Sequence, residues 1–126
     1  MFCKLFVNTK SSRTEIASLI ETSTGGDRDA TYISTRWSDM DVTKNTDNFI
    51  LVKNAKDLFL TFPIIVDIDI KCESITDELI SYLSNVVVEI ISQGGEVVAS
   101  CDFEDELNRQ ISIDISGNLN GRITRG

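Results

Sequence analysis

A chain of 126 residues, 41% apolar and 25% charged, has the make-up of one folded domain long enough to bury its own core. Twenty Asp and Glu against twelve Lys and Arg, with no His, leave a net charge of −8. That balance argues against gripping nucleic-acid phosphates or anionic membranes, which takes clustered cations, and suits electrostatic steering towards a basic protein.

Phe2 to Val7 is short, apolar and aromatic, and reads as a first strand. It is too short and too soon polar for the apolar region of a signal peptide, and no run approaches the roughly 18 apolar residues of a membrane span. A cytoplasmic protein is expected. Ser12 and Glu15 have the Ser-x-x-Glu spacing of a capping box, and Ile16, Leu19 and Ile20 follow at helical intervals. These predict a helix over 12–22, stopped by Gly25-Gly26. Thr31 to Thr35 has the β-branched and aromatic character of a second strand, and Trp37 to Thr43 suggests a third.

Lys44 to Asp57 reads as a long surface loop with a short strand candidate at Phe49-Ile50-Leu51-Val52. Leu58 to Ile70 is the longest strand candidate: Phe62, Ile64, Val66, Ile68 and Ile70 share one parity, and Asp67 and Asp69 share the other. Pro63 cannot donate to a ladder and favours an edge or a bulge. A second helix opens at Ser74 or Thr76, with Asp77 and Glu78 at its positive end. Leu79, Ile80, Leu83, Val86, Val87, Ile90 and Ile91 trace its apolar face before Gly94-Gly95 ends it. Burying those side chains, at about 1.5–3 kcal/mol each, makes that face the main stabiliser. Glu96 to Cys101 is a last strand; beyond it Ile111, Ile113 and Ile115 alternate with polar residues as in an edge strand.

The order strand, helix, strand, strand, strand, helix, strand predicts an α/β (α+β) two-layer sandwich. Two helices would pack on one face of a mainly antiparallel sheet, in a ferredoxin-like βαββαβ connectivity with an extra strand or loop. One domain over 1–115 is expected, with a flexible Gly/Asn/Arg-rich tail over 116–126.

Catalytic patterns are scarce. Without His there is no Ser-His or Cys-His pair, and no phosphate loop, dinucleotide fingerprint or calcium-loop spacing is present. Cys3, Cys72 and Cys101 stand at long, unpatterned spacings and read as buried free thiols. The enzymatic option is carboxylate chemistry. If their strands adjoin, Asp39, Asp41, Asp67 and Asp69 could hold Mg²⁺, although each pair also fits the solvent face of a half-exposed strand.

Two stretches suggest contact surfaces. Trp37 stands in a polar setting beside Arg36, a pairing enriched at binding hot spots, though burial in a core would account for it equally. Asp102, Glu104, Asp105 and Glu106 surround Phe103 beyond the last strand. They read either as a solvated loop or first helical turn, or as a negative lip with an aromatic anchor into core or partner.

A small acidic domain with this layout, a Thr-Arg-Trp-Ser-Asp-Met-Asp stretch at 35–41 and a strand ending in Cys-Asp-Phe-Glu-Asp-Glu-Leu at 101–107 resembles bacterial immunity proteins. Those belong to contact-dependent growth inhibition and other polymorphic toxin systems. The resemblance covers 1–107 and implies a non-enzymatic cytoplasmic inhibitor, needing no cofactor, that binds a cognate and often basic nuclease-type toxin domain. The resemblance carries over no residues; the candidate contact residues, read from the sequence itself, are Arg36, Trp37, Asp39, Asp41, Asp102, Phe103, Glu104, Asp105 and Glu106. The alternatives are a ferredoxin-like ligand-binding or regulatory homodimer, joined by its sheet edge or exposed sheet face, and a Mg²⁺-dependent enzyme using the four strand aspartates.

Overall fold

In the computed structural model, residues 1–46 and 54–125 are described, the last eight by their backbone alone. Among them six strands form one antiparallel sheet in the order β2-β3-β4-β5-β1-β6. In chain order the elements are β1 (Phe2–Asn8), α1 (Arg13–Thr24), β2 (Asp27–Asp29), β3 (Tyr32–Ser34), β4 (Ser38–Lys44), a 3-10 helix (Ala55–Thr61), β5 (Ile64–Ile70), α2 (Asp77–Ser92), β6 (Glu96–Ser100) and α3 (Glu104–Arg125).

Each local signal has a physical counterpart. Ser12 Oγ accepts from Glu15 N at 3.1 Å and Glu15 Oε1 accepts from Ser12 N at 3.0 Å, so the capping box at the start of α1 closes both ways. The two glycines after α1 do different work. Gly25 takes a left-handed φ of 68° as the cap, and its N–H reaches Glu21 O. Gly26 has room for no side chain, since a Cβ there would stand 2.7 Å from Thr35 Cγ2 and 2.9 Å from Ser34 O. Thr76 caps α2 by accepting from Leu79 N at 3.2 Å.

The connectivity interleaves two split units. β5 lies between β1 and β4, which the chain joins through α1 and the β2–β3 hairpin, and β1 lies between β5 and β6, which α2 connects. This is the ferredoxin-like βαββαβ arrangement, extended past β4 by the β2–β3 hairpin. The helices cover one face. Leu5, Val7, Met40, Val42, Val66 and Ile68 of the sheet meet Ile16, Ile20, Leu79, Leu83, Val87 and Ile90 of the helices in one buried core.

Four local expectations are corrected. The second strand is shorter than 31–35 and pairs with Asp27–Asp29, a three-residue charged edge strand with no apolar alternation to reveal it. The candidate at 58–70 splits. Ala55–Thr61 coils as a 3-10 helix, and Pro63 sits just ahead of an interior strand rather than on an edge or bulge. There its missing N–H costs nothing, while Asn45 N donates to its carbonyl at 2.9 Å. The third concerns Ile111, Ile113 and Ile115, which lie on a helix rather than an edge strand. Phe103, Leu107 and Ile111 repeat every four residues and pack on the core, leaving Ile113 58% exposed. This third helix, absent from the predicted two, lies against α2 and β6, and Ser84 Oγ of α2 donates to Asp114 Oδ2 at 2.5 Å. Lastly, the apolar β6 ends at Ser100, so Cys101 opens the turn into α3. The strand candidate Phe49–Val52 lies outside the described residues.

Candidate functional site

Because strand side chains alternate, the face turned from the helices receives every second residue of the central strands. On β4 these are Asp39, Asp41 and Thr43; on β5 they are Ile65, Asp67 and Asp69; on β1 they are Phe2, Lys4 and Phe6. The 3-10 helix covers the Phe6 end, where Phe59 meets Phe6 edge-to-face at 5.1 Å between ring centroids. The other end stays open.

Register decides what gathers there. Asp39 lies directly opposite Asp69, and Asp41 opposite Asp67, so four carboxylates form a square on two adjoining strands. Phe2 follows Asp69 across β1, Lys4 follows Asp67, Tyr32 flanks Asp41 and Ser34 flanks Asp39 on β3. Phe2 is 73% exposed and Tyr32 43%, so an aromatic ring stands on either side of the acidic square. Phe2, Lys4, Tyr32 and the four aspartates line a shallow recess of about 290 Å³.

Like charges directly across a strand pair are destabilising, and two such pairs sit here side by side. Cations offset part of that. Lys71 Nζ lies 3.1 Å from Asp39 Oδ1 and donates to Thr35 O at 2.7 Å. Lys4 Nζ stands 3.9 Å from Asp67 Oδ1. Ser34 Oγ donates to Asp39 Oδ1 at 2.7 Å, and Thr31 Oγ1 to Asp41 Oδ1 at 3.4 Å. The hydrogen bonds from Ser34 first and Lys71 next hold the Asp39 carboxyl below its ordinary range. Tyr32 is shifted the other way, its phenol pushed up by partial desolvation and then by Asp39. Asp69 remains exposed at the centre of the open end.

The adjacency required for a Mg²⁺ site is present, yet the carboxylates do not converge. Among the described residues no group of three or more His, Cys, Asp or Glu side chains is placed to hold a metal ion. Side chains on one sheet face rise side by side, about 5 Å apart across strands and about 7 Å apart along them, and oxygen ligation at 2.3–2.6 Å or less needs them to lean together.

The remaining contact candidates lie around the same end of the sheet, since β4 begins, and β5 and β6 finish, beside Phe2. They do not share the open face. Trp37 is half-buried on the helix side, its ring centroid 6.3 Å from that of Tyr82, and the Arg36 guanidinium lies 4.6 Å over the indole. Tyr82 OH in turn meets Thr35 Oγ1 at 2.9 Å and Ser38 Oγ at 3.0 Å. Trp37 therefore serves the packing of the β3–β4 connection on α2, with Arg36 as its outer cover.

The acidic run divides. Asp102 is exposed in the turn, while Glu104, Asp105 and Glu106 make the first turn of α3, where carboxylates suit the positive end of the helix dipole. Glu104 Oε2 also accepts from Cys101 N at 3.3 Å. Phe103 is buried at 6% exposure and packs in the core, which withdraws it from the surface contacts. Phe2, Lys4, Tyr32 and Lys71 are not recognisable from the sequence as neighbours of the acidic pairs. The parity of β1 separates Phe2 and Lys4 from Cys3 and Leu5, but nothing local says that β5 lies beside β1.

No helix among the described residues is long and apolar enough to cross a membrane. The chain matches no protein-family model, no curated protein and no solved structure.

Proposed function

We propose that this protein is a cytoplasmic immunity-type inhibitor that binds a basic toxin domain, of nuclease type, through the open face of its sheet. The observation that carries the reading is the square of Asp39, Asp41, Asp67 and Asp69, flanked by the exposed rings of Phe2 and Tyr32. The fold tolerates opposed like charges there, on a face where side chains could have been neutral without disturbing the core. A cationic surface docking on that face would relieve the repulsion, and the two rings would supply apolar contact at its margins. The net charge of −8 adds long-range attraction for such a partner. Self-association through this face is disfavoured by the same charges, because two copies would bring acidic squares together.

Affinity capture from the cells that make the protein tests this, with wild type and the D41K/D69K double variant as paired baits. The wild type should retain a basic protein in low salt, release it as salt rises, and suppress its toxicity when the two are co-expressed. The variant should do none of these while keeping its circular dichroism. Equal capture and equal protection by the two baits would refute the role of the open face.

A further inference from the structure

Two of the three cysteines, 98 positions apart in sequence, are brought face to face by the sheet. β1 and β6 pair antiparallel with Lys4 opposite Ser100 and Leu5 opposite Ala99. The paired register ends at Lys4 and Ser100, and continuing it by one step would set Cys3 opposite Cys101; both side chains pack against the core on the helix side of the sheet. Both are free thiols, Cys3 buried at 1% exposure and Cys101 half-buried against the same core. The two thiols are near enough that each enters the other's protonation balance.

We propose that Cys3 and Cys101 form a paired-thiol modification site that small-molecule disulfides close to an intramolecular disulfide, fastening the start of β1 to the root of α3. Residues directly opposite on antiparallel strands have Cα atoms about 4.5–5.5 Å apart, within the 4.4–6.8 Å that a disulfide spans. Cys101 lies just past the last residue of β6, in the turn into α3, so its backbone can give where a ladder residue could not. Cys101 is the accessible partner. Its thiol loses a proton to solvent, and the resulting thiolate attacks the small disulfide, forms a mixed disulfide and expels one thiolate. Cys3 then loses its proton and attacks the Cys101 sulfur, expelling the second. Two protein thiols are oxidised to one disulfide, and one small disulfide is reduced to two thiols, which take up the released protons.

Burial foremost raises the pKa of both thiols, and the carboxylates of Glu104 and Asp102 add to the rise at Cys101. A smaller thiolate fraction at each cysteine slows both attacks, so closure calls for abundant disulfide reagent. The half-buried Cys101 sulfur stays within reach of attacking thiols, which makes the closure reversible. What it would lock is the entry to α3, where Cys101 N already donates to Glu104 and where Phe103 and Leu107 enter the core.

The test treats the folded full-length protein with millimolar oxidised glutathione, quenches with acid, and maps the thiols by mass spectrometry. The expected product is a monomer lighter by two hydrogens, with Cys3 linked to Cys101, Cys72 alone alkylatable, and full reversal by dithiothreitol. Cys72→Ser should behave like wild type. Cys101→Ser should lose the link, and Cys3→Ser should instead accumulate glutathione on Cys101. Should Cys3→Ser fail to fold, the wild-type map and the half-buried Cys101 variant decide alone. Three free thiols after prolonged treatment, a lasting glutathione adduct on wild-type Cys101, a link through Cys72 or a disulfide-joined dimer would each overturn the proposal.

Discussion

The two faces of the central strands are built from neighbouring residues and obey opposite rules. On β4 and β5 the helix side carries Met40, Val42, Val66 and Ile68, all at most 1% exposed, and the other side carries Asp39, Asp41, Asp67 and Asp69. The covered face is satisfied within the molecule: its apolar atoms are removed from water and its few buried polar side chains have partners. The open face is not, since two carboxylate pairs oppose each other with Lys71 and Lys4 in partial compensation. Opposed like charges on an otherwise well-packed sheet are the kind of local conflict that functional sites carry, and this supports the docking face proposed above.

Breaking the covered face should have the largest effect. Leu83 of α2 is fully buried, and Leu83→Ala should cost about 2–5 kcal/mol in urea unfolding while leaving the affinity of the fraction still folded unchanged. Ser12→Ala comes next. It removes one half of the capping box of α1 and should cost about 1 kcal/mol, again with no effect on binding. On the open face the sign reverses. Asp69→Asn removes one of two charges facing each other across β4 and β5 and should stabilise the fold by about 0.2–1 kcal/mol while weakening capture of the basic partner. A loss of stability in that variant would break the contrast between the faces.

The smallest effect is in pH. The Asp39 carboxyl is held below its ordinary value in the folded state, so its contribution to stability is complete above the unfolded value of about 4 and disappears as pH falls through the lowered folded value. Comparing wild type with Asp39→Asn by thermal unfolding should show a gap at neutral pH that narrows only below about pH 4. A gap that is constant from neutral to acid pH would show that Ser34 and Lys71 do not favour the charged form.

Much of the covered face was legible in the sequence because its signals are local. The capping box at Ser12, the period of α2 and the alternation within β5 each declare themselves within a few residues, and together they imply the two-layer sandwich. α3 was hidden because three anchors at four-residue spacing, Phe103, Leu107 and Ile111, compete with an accidental alternation at Ile111, Ile113 and Ile115. The β2 strand was hidden because Asp-Arg-Asp on an edge has nothing to bury. For the site, the sequence shows that Asp39 and Asp41 share a face, and likewise Asp67 and Asp69. That the pairs oppose one another, with Phe2 and Tyr32 beside them, follows from strand order and register, which are non-local. The acidic run at 102–106 is dense in charge, yet a helix start and a buried Phe103 account for much of it.

The most direct test of the open face is a two-dimensional amide NMR titration of labelled protein with the captured basic partner. The largest shift changes should fall along β4, β5 and β1 at Phe2, Lys4, Asp39, Asp41, Asp67 and Asp69, with Tyr32 beside them. Changes confined to Asp102–Glu106, or to the outer surfaces of α1 and α2, would contradict it.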